Sequence, residues 1–447
     1  MRKIQKILVA NRSEIAIRVM RAAAELDIAS VAIYSEEDRF ALHRFKVAES
    51  YRIGADCSPV QAYLQTDEIV QAAVLSGADA IHPGYGFLSE SPEFARACET
   101  AGLVFIGPSP EVMNRLGNKV QARALAQENQ VPVMPASGVL PSDPATVRAL
   151  ASETGYPLML KASWGGGGRG MRVIESEAEL DAMVDIGRRE AATAFGNDEV
   201  YLEKLVRRAG HIEVQVLGDQ HGNLVHLFER DCTVQRRNQK VVERAPAFFL
   251  TDAERESVCE AALRLCRGAG YHNAGTVEFL QDADSGEFYF IEVNPRIQVE
   301  HTVTEEITGI DIVKAQIQIA QGHAIGTEAS GVPAQLQIAM RGHAMQCRIT
   351  TEDPENNFIP DYGEIDTYRS PSGFGIRLDA GTAYTGARVT RHYDSLLVKV
   401  TGWGNTPHEV VQRMLRALRE FRVRGVNTNM PFLVGLLSNK KFRRADY

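Results

Sequence analysis

Several large protein classes are excluded by what this chain lacks. Its six cysteines, Cys57, Cys98, Cys232, Cys259, Cys266 and Cys347, are scattered with no C-x-x-C pair. That excludes a disulfide framework and a zinc ribbon and suits a reducing compartment. Cys259 and Cys266 share a helical face, which reads as packing. Positive charge is short as well: a formal net charge of -8 offers no basic field for nucleic acid. No uncharged apolar run is long enough to span a bilayer. The basic N-terminus "MRKIQKILVANRSEIAIR" has only Ile7 to Ala10 as an apolar run before Asn11, Arg12 and Glu14, which is no signal peptide, so a cytoplasmic location is expected. No Gly-Lys pair occurs anywhere, which removes a Walker A loop.

What is present is an ordinary globular composition, 44% hydrophobic and 24% charged over 447 residues. That length exceeds what one core supports, so about two to four domains are expected. Up to about residue 115, strand-like runs ("KILVA", "SVAIYS", "ADAIHPG", "LVFIG") alternate with helical ones ("SEIAIRVMRAAAEL", "DEIVQAAVLSG", "SPEFARACETAG"). Alternation of this kind predicts a parallel, doubly wound α/β sheet, here without a glycine fingerprint after the first strand. From about 116 to 335, helices mix with antiparallel strand pairs. Ser176 with Glu179 and Thr251 with Glu254 read as capping boxes. The small, polar "ASGVPAQLQ" reads as a boundary, and short strands then lead to an amphipathic helix, "PHEVVQRMLRALREF".

The stretch "LMLKASWGGGGRGMRV" sets four consecutive glycines between two apolar runs. Gly165, Gly167 and Gly170 satisfy G-x-G-x-x-G, but "MRVIES" is strand-like where a dinucleotide site needs a helix. A glycine hairpin remains, with Lys161 at its entry. Such a hairpin can lie over a triphosphate, because bare backbone N–H groups approach phosphate oxygens closely; the competing reading is a mobile surface turn.

In "GTVEFLQDADSGEFYFIEVNPR" two strand-like runs flank "DSG", a three-residue loop ending in Gly286. Pairing Ala283 with Glu287 puts 280 opposite 290 and Glu278 opposite Glu292, with Cβ atoms about 5 Å apart. Two facing carboxylates call for a cation, and Mg²⁺ uses such oxygens together with water and nucleotide phosphates. Asn294 points to the same face. Downstream, "NPRIQVEHTVTE" sets Arg296, Gln298 and Glu300 on one face of an extended segment. "ERDCTVQRRNQKVVE" adds Arg236, Arg237 and Lys240, and the whole reads as an anion pocket.

Side by side, "KASWGGGGRGM", "ERDCTVQRRNQKVVE" and "FIEVNPRIQVEHTVTE" resemble the biotin carboxylase family of ATP-grasp enzymes. The likeness runs from "ILVANRSEIAIR" and "AIHPGYGFLSE" to "GHAMQCRIT" and the terminal helix. It implies a Rossmann-like domain over 1–118 and an ATP-grasp domain over 119–335, with a mobile glycine-loop lid at about 136–204. A mixed α+β C-terminal domain over 336–447 completes it. It also implies the reaction: ATP phosphorylates bicarbonate to carboxyphosphate, and the carboxyl group passes to N1 of biotin.

By motif, the resemblance assigns Lys119, Lys161, Gly165, Gly166, Gly167, Gly168, Met171, His211, Gln235 and Glu278 to ATP. Glu203 and Lys204 in "YLEKLV" would read adenine. Glu278, Glu292 and Asn294 match ligands of Mg²⁺ (or Mn²⁺). Lys240, Arg296, Gln298, Val299 and Glu300 match a bicarbonate pocket, with Glu300 as base, and Arg348 and Tyr85 lie near biotin in the family. Arg348 would stabilise the enolate-like ureido oxygen. Bicarbonate is a poor nucleophile, so positioning and charge neutralisation must supply the rate, and carboxyphosphate needs shelter from water.

Trp164, Asn238 and Pro295, with "HTVTEEITGIDIVKAQI", lean toward the pyruvate carboxylase branch; acetyl-CoA carboxylase subunits have glycine, histidine and threonine at those three places. Neither a Met-Lys-Met biotinylation motif nor a carboxyltransferase region is seen. The expectation is therefore the biotin carboxylase part of a multifunctional enzyme, partnered by biotin carboxyl carrier and carboxyltransferase domains. As a piece it would be a homodimer, and in the full enzyme a higher oligomer. A free-standing subunit is the alternative. A non-catalytic nucleotide-binding module and an ATP-grasp ligase joining a carboxylate to an amine are the rival classes.

Overall fold

The computed structural model describes residues 3–164 and 171–446. Five parallel strands form the first sheet, in the spatial order Glu49–Arg52, Ala29–Tyr34, Lys6–Val9, Ala80–His82, Val104–Phe105. The inner strands are apolar on both faces: Ile7, Leu8, Val9, Val31, Ile33 and Ile81 are fully buried. Helices Ser13–Ala24 and Pro92–Thr100 flank the sheet, the latter capped by Ser91 Oγ on the Phe94 N–H at 3.1 Å. The strand Glu49–Arg52, "ESYR", lacks the apolar run that marks the others and lies at the sheet edge.

As expected, Leu158–Ala162 pairs antiparallel with Arg172–Ile174, and on its other side it pairs with Val200–Lys204. Helices Pro144–Thr154 and Glu177–Phe195 cover this small sheet and share its core of Leu158, Leu160, Ile174, Leu180 and Leu202. The four glycines at 165–168 lie outside the described residues. Thr251 and Glu254 make the expected capping box at the start of helix Asp252–Ala269. Ser176 does not: its side chain makes no cap bond, and Glu179 instead accepts from the Glu175 N–H at 3.1 Å.

Eight antiparallel strands make the largest sheet, in the order Phe288–Asn294, Asn273–Asp282, Ala209–Gly218, Leu224–Asp231, Val242–Ala245, His343–Thr350, Leu396–Gly404, Ile376–Ala380. The expected boundary falls in the short 3-10 turns Glu328–Ser330 and Gln335–Gln337, yet this sheet continues across it. Val242–Ala245 would otherwise be an open edge, and His343–Thr350 pairs with it over four residues.

In the acidic hairpin, Glu278 does pair with Glu292, but 280 faces Tyr289 rather than 290, because the loop is one residue longer than expected. A bulge between 278 and 279 restores the register. All six cysteines are free, with Cys259 and Cys266 buried in the core. Among the described residues no helix is long and apolar enough to cross a membrane.

Candidate active site

A cavity of about 1160 Å³ opens between the parallel sheet, the small hairpin sheet and the large antiparallel sheet. Tyr85, Lys119, Lys161, Met171, Glu203, His211, Gln235, Lys240, Glu278, Glu292, Asn294, Arg296, Gln298, Val299, Glu300 and Arg348 all line it. Lys204 does not. Its ammonium donates to the carbonyls of Gly155 and Tyr156 at 2.8 Å each, because its neighbours on the strand alternate faces. Arg237 is also outside. With Asn238 it forms a two-residue hairpin turn at φ 50° and 62°, and it reaches outward to Asn357 Oδ1 at 3.3 Å. Arg236 lines the cavity, stacked on the Phe358 ring at 4.0 Å.

The carboxylate pair sits at the floor. Glu278 Oε1 accepts from Asn294 Nδ2 at 2.8 Å, Gln298 Nε2 at 2.9 Å and Lys240 Nζ at 3.1 Å, while Oε2 lies 2.8 Å from His211 Nε2. Glu292 Oε2 lies 3.1 Å from Lys119 Nζ. Burial would push the Glu278 carboxyl up, but Lys240 and His211 override it and hold it well below the usual range. Burial opposes the charge of His211 too, and Glu278 and Glu213 raise it to about 10. Two carboxylates and an amide oxygen on adjacent strands, with ammonium groups now resting on them, fit a hard divalent cation.

Lys240 is the centre of the arrangement. Its Nζ touches Glu213, and lies 3.1 Å from Glu278 and 2.7 Å from Glu300. Glu300 Oε2 lies 3.0 Å from Arg348 Nη2, and Arg348 also binds the fully buried Glu243. Burial alone would raise the Glu300 carboxyl; Lys240, Arg348 and Arg230 bring it far below its ordinary value, so it is ionised at neutral pH. The segment carrying these groups is a turn, not an extended strand. Glu300 has φ -84° and ψ 4° at the start of helix His301–Thr308, so the turn rather than strand alternation gathers Arg296, Gln298 and Glu300. Arg296 contacts Glu90, and its Nη2 donates to Asn294 Oδ1 at 3.0 Å.

Sequence reasoning missed Arg230, Glu213, Glu243 and Glu90. Arg230 is completely buried and donates to Gln298 Oε1 at 2.7 Å, Gln215 Oε1 at 2.8 Å and Glu213 Oε2 at 3.3 Å. The available signal was a charge inside each apolar strand run: "HIEVQV", "HLFERD" and "VVERA". At the other end of the cavity Lys161 contacts Glu203, and Arg123 Nη1 lies 3.5 Å from the same carboxylate.

The small hairpin sheet faces the large antiparallel sheet across this acid–base cluster, and similarity to known proteins puts the chain among ATP-dependent ligases. The model "Biotin carboxylase, N-terminal domain" matches residues 3–113. "Carbamoyl-phosphate synthase L chain, ATP binding domain" matches 118–328, and "Biotin carboxylase C-terminal domain" matches 346–447. The biotin carboxylase domain of Hydrogenobacter thermophilus 2-oxoglutarate carboxylase, solved with MgADP, ADP and bicarbonate, is 44% identical. It superposes with a TM-score of 0.95 and covers 100% of this chain and 96% of its own. The chain belongs to the biotin carboxylase family. Pyruvate carboxylase of Staphylococcus aureus is 52% identical over 447 residues, which are 100% of this chain and 39% of that one. Rhizobium etli pyruvate carboxylase, solved with the allosteric activator acetyl coenzyme-A, is 63% identical with a TM-score of 0.96, covering 99% of this chain and 40% of its own. The chain thus spans about two fifths of the length of the curated relatives it matches.

Proposed function

We propose that the chain carboxylates biotin at N1 at the expense of ATP and bicarbonate, through carboxyphosphate, as the biotin carboxylase part of a pyruvate carboxylase. The observation that carries this is the Lys240 ammonium, 3.1 Å from Glu278 and 2.7 Å from Glu300. One cation thus joins the acidic floor to an ionised base. Glu278, Glu292 and Asn294 would hold Mg²⁺ (or Mn²⁺), which when bound neutralises triphosphate charge. Lys119, Lys161, Met171, His211 and Gln235 would contact the nucleotide, with the 165–168 glycines over it and Glu203 at the adenine. Lys204 supports that strand through Gly155 and Tyr156 rather than by contact.

Glu300 would take the bicarbonate proton on its carboxylate, while Arg296, Lys240, Gln298 and the Val299 backbone hold the anion against the γ-phosphorus. Arg348 and Tyr85 would hold biotin, the guanidinium facing the ureido oxygen as N1 loses its proton. The divisions at 118 and 335 are proposed as the domain limits. We further propose a cytoplasmic homodimer as a piece and a higher oligomer, with carrier and carboxyltransferase domains, in the full enzyme. A free-standing subunit is the second reading. Co-purification with a separate biotinylated chain would select it.

The test is ADP release that needs bicarbonate and rises with free biotin. Replacing Glu278→Gln with Glu292→Gln is expected to lower kcat by about 100-fold or more, since both carboxylates of the metal floor are lost. Unchanged turnover in that variant would overturn the assignment.

A further inference from the structure

One fully buried lysine lies behind the site and belongs to none of the roles above. Lys399, in strand Leu396–Gly404, has no exposed surface. Its Nζ lies 3.0 Å from Glu14 Oε2 and donates to the Val299 carbonyl at 3.0 Å. Glu14, in the first turn of helix Ser13–Ala24, is buried as well, and its other oxygen accepts the Tyr85 hydroxyl. The same ammonium is 5.9 Å from the centre of the Tyr85 ring.

Four parts of the chain, distant in sequence, therefore meet at one ion pair. The joint is also tight at the backbone. A Cβ on Gly381, just beyond strand Ile376–Ala380, would come within 2.6 Å of the Glu14 nitrogen, and Ser13 before it sits at φ 56°. Replacing a buried ion pair with apolar groups is often neutral or better for stability, so stability alone does not account for this one. Its partners do: the Val299 carbonyl belongs to the peptide that enters Glu300, and Tyr85 lines the same cavity.

We propose that Lys399 and Glu14 are a positioning pair that fixes Tyr85 and the Val299–Glu300 peptide in one frame, so that biotin and the carboxyl donor meet in register. This rests on the biotin carboxylase reading of the cavity. Neither residue touches a substrate; both act through groups that do. The ATP contacts proposed at Lys161 and Glu203 involve neither residue.

The experiment compares the parent chain with the neutral double variant Glu14→Gln, Lys399→Met. Steady-state kinetics, thermal unfolding and deuterium exchange of the 296–301 segment are the readouts. The expected result is a melting midpoint close to the parent's and an ATP KM within about twofold. Biotin kcat/KM should fall at least about tenfold, with faster exchange over 296–301. A folded double variant with parental biotin kcat/KM and exchange overturns the proposal. Should that variant fail to fold, Glu14→Gln alone, which keeps one accepting oxygen, turns the other into an NH2 donor and removes the charge, is expected to raise the biotin KM at least about threefold; an unchanged KM overturns the proposal. A parent chain that releases no ADP with bicarbonate and biotin sinks the functional reading instead, and the exchange comparison still decides the pair.

Discussion

Burial acts on His43 and His82 without the strong acid pairing that rescues His211. The His43 ring is pushed down to about 4 by burial, and Arg12 adds to this although Asp38 pulls the other way; the His82 ring is held at about 3 by burial and Arg18. In each, Nδ1 faces a backbone N–H, from Ser13 at 3.4 Å and from Gly84 at 3.0 Å, so protonation would break a bond as well as bury a charge. The unfolded chain binds these protons below about pH 6.5 and the folded chain does not until about 3 to 4. Stability is therefore full above that window and falls on acidification through it. Urea midpoints should decline between pH 6.5 and 4, and the double variant His43→Gln, His82→Gln should show a slope shallower by up to about two protons. An identical slope would refute this. The same contrast shows what single residues reveal in advance. Glu278 and Glu292 were legible because each interrupts an apolar run and the hairpin pairs them, whereas Glu300 reaches its place through a turn and not through the strand alternation that pointed to it. Arg230 and Glu213 were not, since their role arises only when strands far apart in sequence lie side by side.

Local signals along an element fared unevenly, and the two capping boxes say why. Thr251 and Glu254 bond reciprocally, whereas Ser176, although followed by Glu179 in the same spacing, makes no side-chain cap bond. Here the segment leaves strand Arg172–Ile174 only two residues before the helix begins, and Glu179 caps the Glu175 N–H instead. Thr251→Ala should therefore cost about 1 kcal/mol, while Ser176→Ala should cost no more than a few tenths. Denaturant unfolding measures both, and equal losses would contradict the difference in geometry. The acidic hairpin shows another limit. Its 278–292 pairing came out right although the loop was read one residue short, because a bulge takes up the error. Loop length and bulge are both properties of the folded ladder, and neither has a residue signature in "DSGEFYF".

Across the whole molecule, the parallel sheet was readable from alternating apolar runs, but the continuity of the eight-stranded sheet was not. "ASGVPAQLQ" has the composition of a linker, and composition carries no information about which strands pair across it. Val242 packs in one core with Met345, Val398, Val410 and Leu433, and Ala245 shares another with Val303, Ile307 and Ala344. The two sides thus complete each other's hydrophobic interior. Separating them would leave Val242–Ala245 with an unpaired edge and would remove Val242 from the core that helix Pro407–Glu420 shares. Expressed alone, the pieces 1–335 and 336–447 should aggregate or bind a hydrophobic dye, and co-expression should recover a soluble pair. The intact chain should lose the Val242–Ala245 and His343–Thr350 strands in one unfolding step, seen as coincident hydrogen-exchange protection of the two. If 336–447 instead unfolds cooperatively by itself, the shared sheet is only a contact between finished domains. In that case Lys399 and Arg348 would owe their placement to docking rather than to folding.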